Sequence, residues 1–143
     1  MRAGVKKAYP APIAMRAIAF ADPIYTHSAP FSVTVSTALD ALAHATEGWF
    51  NPQLSDPVKL FAVKGLPLLW NSLVWLDRNA RLPEQKMREE LYYGSLYAGI
   101  VLSACGTAFP HPLGYVLTED FSIPHGRACT AFFAGIPGAW RAV

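Results

Sequence analysis

Between Leu91 and Thr118 the chain carries no Asp, Glu, Lys or Arg, and this run restricts its possible folds more than any other feature. The run is longer than the roughly 20 apolar residues that a membrane-spanning helix requires. Its second half, however, holds Gly106, Pro110, His111, Pro112 and Gly114. These would break a continuous helix and leave backbone groups that lipid cannot satisfy. The run therefore predicts a core helix followed by a buried irregular segment, and no membrane span.

The rest of the composition agrees with a partly covered globular domain. A chain of 143 residues holds one core of ordinary size. With 52% hydrophobic and 15% charged residues it lies on the apolar side of average. Part of its surface is therefore expected to be buried against more protein, a homo-oligomer being one such assembly. A net charge of +2, spread along the chain, argues against nucleic acid or an anionic membrane as partner. Cys105 and Cys129 lack CxxC or zinc-finger spacing and sit in apolar surroundings, as reduced thiols of a cytoplasmic protein do. The N-terminal "MRAGVKKAYPAP" has no apolar stretch before its prolines, so export is not expected.

Along the chain, "MRAIAFADP" (Met15 to Pro23) reads as a short strand with an exit turn, without a second strand of similar quality to pair with. After Pro30 the pattern turns helical. Val35, Leu39, Leu42 and Trp49 recur at helical spacing, and Asn51 and Pro52 close the segment. Ser55 and Pro57 open a second helix, with a kink expected at Gly65 and Pro67. A third starts near Pro83 and runs to Gly106. Short helices are expected in "TAFPHPLGYVLTEDFS" and after Pro124. Trp70, Trp75, Tyr92, Tyr93 and Tyr97, at near-helical spacing, read as core.

Chemistry concentrates on histidine. Asp40 and His44 lie four apart in the Ala-rich "TALDALAHATEGW", so a carboxylate and an imidazole share one helix face. Alone, this spacing describes a satisfied buried pair as well as a metal site. His111 in "FPHPLG" and His125 in "IPHG" are each bracketed by Pro and Gly, which fix close backbone approaches. At a helix N-terminus a protonated His125 would oppose the dipole, so a neutral, metal-bound ring is the easier state there. One carboxylate and three imidazoles suit Fe(II) or Zn(II) better than Mg or Ca. Glu47, three residues after His44, reads equally as an orienting carboxylate or a solvated one, and His27 in "YTHSAP" as a surface residue.

The "DP" turn, "TALDALAHATEG" and "GTAFPHPLGYVLTEDFSIPHG", in that order, resemble the metal-domain signature of the iron-containing (group III) alcohol dehydrogenases. That family shares its fold with glycerol dehydrogenase and 3-dehydroquinate synthase. The resemblance implies a mainly α, dehydroquinate synthase-like helical metal-binding domain at residues 31–143. Residues 1–30 would be a remnant of an N-terminal α/β nucleotide-binding domain, including its strand stub. It also implies the ligands Asp40, His44, His111 and His125, holding an ion that polarises an alcohol or aldehyde oxygen while hydride passes to or from NAD(P). Thr37, one turn before Asp40, is placed toward the cofactor cleft. Tyr115 stands where many members carry another histidine and would supply a hydrogen-bond donor near the substrate.

About 30 residues precede the helices, whereas a dinucleotide-binding half needs on the order of 100. The expectation is thus a chain truncated at both ends that binds metal without turning over alcohol alone. Two rivals remain open. One is an inactive remnant that acts only in packing or assembly. The other is a glycerol dehydrogenase or dehydroquinate synthase-like zinc enzyme, although the dehydroquinate synthases usually place a glutamate where Asp40 stands.

Overall fold

The computed structural model describes residues 18–133. Among the described residues five helices carry the fold: α1 (Phe31–Phe50), α2 (Asp56–Asn79), α3 (Gln85–Cys105), α4 (Pro110–Phe121) and α5 (His125–Thr130). A 3-10 turn, Pro23–Thr26, precedes them, its first amide capped by the Asp22 side chain. No strand occurs among the described residues. The expected strand is not formed at Ile18 to Asp22, which run without regular structure and leave Ile18 and Phe20 exposed. An apolar run becomes a strand only when another pairs with it. Met15 to Ala17 of that prediction, and the early residues of the proposed N-terminal remnant, lie outside the described residues.

Helix α1 is central because its side chains are small. Ala38, Ala41, Ala43 and Ala45 are all buried, which lets α2, α3 and α5 pack closely around it. Leu39 and Leu42 interdigitate with Leu69, Leu73 and Leu76 of α2 and Leu91 and Ala98 of α3 in the main core. A smaller cluster of Leu54, Ala62 and Val101 closes one end.

Helix α2 continues through Gly65 and Pro67 as one helix. Gly65 serves a close helix crossing: a Cβ there would lie 3.2 Å from the Gly94 carbonyl oxygen of α3, and one on Gly94 would lie 2.8 Å from Leu69. Ser55 occupies the N-cap position, but its side chain makes no capping bond.

The charge-free run divides into α3, a bend and α4. Among the described residues no single helix is long and apolar enough to cross a membrane; α3 and α4 together are, but they meet at 109°. The second half of the run forms the short helix expected in "TAFPHPLGYVLTEDFS", but it is not the buried irregular segment also expected of the run: only Pro110, His111 and Gly114 of α4 are buried. Phe109 and Val116 are exposed, as is Phe121 just beyond the run, so the absence of charge within it marks an apolar surface. The aromatic residues expected in the core are likewise peripheral: Trp70 and Tyr93 are exposed, and Trp75, Tyr92 and Tyr97 half-buried.

Candidate metal centre

Three helices bring the histidines to Asp40. The carboxylate projects from the middle of α1, and its Oδ1 is the common point. His111 Nε2, from the first turn of α4, lies 3.4 Å from it. His125 Nε2, from the first residue of α5, lies 3.6 Å away, and His44 Nε2, one turn along α1, 3.9 Å. The His44 and His111 rings stack at 4.4 Å, and His125 meets His111 edge-on. The four residues paired in the sequence analysis are therefore neighbours in space.

Asp40 Oδ1 and His111 Nε2 are both buried and neither has a hydrogen-bond partner. Two unpartnered polar atoms facing one another in the interior are costly unless a third body satisfies them. A divalent cation does so: it accepts lone pairs from both and offsets the carboxylate charge. The donor chemistry and the orphaned atoms thus fit an Fe(II)- or Zn(II)-type ion.

Two further residues join the cluster, Cys129 unforeseen and Glu47 read in the sequence as either an orienting or a solvated carboxylate. Cys129, one turn after His125 on α5, is fully buried, with Sγ 3.6 Å from His125 Nε2. Ligand atoms of Asp40, His111, His125 and Cys129 all lie within 4.8 Å of one another. The i, i+4 spacing that joined Asp40 to His44 also joins His125 to Cys129, so the signal was present in the sequence. Glu47 is the second. It is buried on α1 and receives His111 Nδ1 and the Ala108 backbone N–H, so its partner is His111 and not His44.

The remaining predicted residues lie nearby or apart. Tyr115, one turn after His111, lays its ring parallel to His125 at 5.5 Å and meets His111 edge-on at 6.5 Å. Thr37 is outside the cluster. Its hydroxyl donates to Val33 O at 2.9 Å within its own helix, and it lines a cavity of about 380 Å³ with Tyr25, Arg88 and Tyr92. His27 is exposed, as expected. Cys105 and Cys129 are both free thiols.

The charges are arranged around that common point. Burial pushes the Asp40 carboxyl up, but His111, His44 and His125 together outweigh it and hold it below its ordinary value. Burial lowers His44, with the neighbouring imidazoles adding to the effect against Asp40, so its ring is neutral at pH 7. Burial would lower His111 as well, yet contacts with Asp40, Cys129 and Glu47 win and raise it to about 11. Without a cation, a proton on His111 takes up the negative charge around it.

Residues 34–139 match the Fe-containing alcohol dehydrogenase family, C-terminal region. The chain belongs to this family. A 4-hydroxybutyrate dehydrogenase of Clostridium kluyveri is 30% identical over 114 residues, covering 80% of this chain and 31% of that enzyme. Among solved structures, an iron-containing alcohol dehydrogenase of Thermotoga maritima superposes with a TM-score of 0.68 at 33% identity, over 76% of this chain and 29% of the other. A sulfoacetaldehyde reductase of Bifidobacterium kashiwanohense, solved with NAD+, gives 0.68 at 29% identity, over 76% and 28%. This iron-containing alcohol dehydrogenase family member thus spans under a third of the length of these relatives, and what it matches is their helical domain.

Proposed function

We propose that residues 31–143 form the metal-binding domain of an iron-type, NAD(P)-dependent alcohol dehydrogenase, with residues 1–30 belonging to the connection from a nucleotide-binding domain. Asp40, His44, His111 and His125 would hold one divalent ion, Fe(II) or Zn(II). The observation that carries this reading is the facing pair of unpartnered buried atoms, Asp40 Oδ1 and His111 Nε2. Lewis acidity toward the oxygen of a small alcohol or aldehyde is what such an ion supplies, favouring hydride exchange with nicotinamide.

The chain's own residues supply the rest. Neutral His44 offers a lone pair at physiological pH. Tyr115, beside His125, presents a phenol that can donate a hydrogen bond to a substrate oxygen, in place of a histidine relay. NAD(P) as the hydride partner is supported by the NAD+ complex of the sulfoacetaldehyde reductase. A cytoplasmic location and assembly into a homo-oligomer are part of the same proposal, the latter supported by exposed Phe109, Val116 and Phe121.

Elemental analysis of anaerobically purified chain, beside a His111→Ala/His125→Ala variant, tests this reading. Near-stoichiometric Fe or Zn that disappears in the folded variant is the expected result. Equal and negligible metal in both overturns it.

A further inference from the structure

We propose that Glu47 is the positioning residue of the metal centre: it fixes the tautomer and direction of His111 and ties the start of α4 to α1. The inference rests on the metal-binding reading above. Glu47 lies seven residues after Asp40, two turns along the same face of α1, and is only 6% exposed. A buried carboxylate is costly unless hydrogen bonds satisfy it. This one has two partners, the His111 ring nitrogen Nδ1 and the Ala108 backbone N–H.

The consequence for His111 is chemical. With Nδ1–H donating to Glu47, the other nitrogen, Nε2, is the one left with a lone pair when the ring is neutral. Nε2 is also the atom 3.4 Å from Asp40 Oδ1 and without a hydrogen-bond partner. A carboxylate behind a ligating imidazole restrains the ring and raises its basicity. The Ala108 contact extends the restraint to the backbone. Residues 106–109 connect α3 to α4, and α4 packs chiefly on α5 and little on α1. One side chain therefore sets where His111 begins relative to Asp40.

Zinc affinity, measured against a chromophoric chelator, and long-range proton–nitrogen NMR of the His111 ring provide the test in wild type, Glu47→Gln and Glu47→Ala. The expected result is a roughly 10- to 100-fold loss of zinc affinity, larger in the alanine variant. The slowly exchanging Nδ1 proton of zinc-loaded wild type should persist in Glu47→Gln and vanish in Glu47→Ala. A purely packing role would change thermal stability but not the tautomer signal. A folded Glu47→Ala variant with affinity within about twofold of wild type and a protected Nδ1 proton overturns the inference. Should that variant fail to fold, Glu47→Gln decides: wild-type zinc affinity in it overturns the proposal, and a tenfold loss supports it. Wild type that takes up no zinc overturns the metal-binding reading itself, and this inference with it.

Discussion

Gly126 lies so close to Ser36 that a methyl group on its Cα would sit 1.7 Å from the Ser36 carbonyl oxygen and 2.9 Å from the Asp40 amide nitrogen. Only a residue without Cβ lets α5 approach the backbone of α1 at this point. The contact brings His125, the residue before it, within 3.6 Å of Asp40.

Gly126→Ala should therefore displace α5 from α1. Overpacking of this kind costs about 1–3 kcal/mol or more, because the obstructing atoms are backbone and cannot swing away. Thermal denaturation should show the destabilisation, and zinc affinity should fall in parallel as His125 moves off Asp40. A variant with wild-type stability and affinity would refute the crossing geometry.

Stability and metal binding should respond oppositely to pH. The His111 pKa is raised from 6.5 to about 11 in the metal-free fold. A raised folded pKa stabilises fully below the unfolded value, so this contribution is complete below pH 6.5 and is lost as pH rises toward 11. Zinc must displace the proton, so its affinity should climb across the same window, by up to about tenfold per pH unit for each proton released. Urea denaturation of metal-free protein and zinc titrations at several pH values check both slopes, with His111→Gln as the flattened control.

Ala80 ends α2 in the left-handed conformation, with φ of 47°. That region costs an L-residue about 1–2 kcal/mol, and glycine returns part of the gain as chain entropy. Ala80→Gly should raise stability by about 0.5–1 kcal/mol, read from the denaturation midpoint. The residue is exposed and distant from the donors in sequence, so zinc affinity should not change.

The helix limits were legible because Pro and Gly punctuate them locally: Pro30 before α1, Pro57 in the first turn of α2, Gly106 after α3. Asp40 and His44 were legible because i, i+4 geometry is fixed by the helix itself. Glu47 was half-read, since its partner His111 is 64 residues away and no local pattern encodes that distance. The exposure of α4 was misread because a lack of charge signals an apolar face, not what covers it. The strand at Ile18 failed for a related reason, since pairing is decided by another segment.

The central claim, that one divalent ion is held by Asp40, His44, His111 and His125, is tested most directly by the X-ray absorption spectrum of the zinc-loaded chain. The account predicts four nitrogen and oxygen donors at roughly 2.0–2.2 Å, with imidazole outer-shell scattering that diminishes in His111→Ala. A sulfur-dominated shell near 2.3 Å, or a shell indifferent to His111, would contradict it.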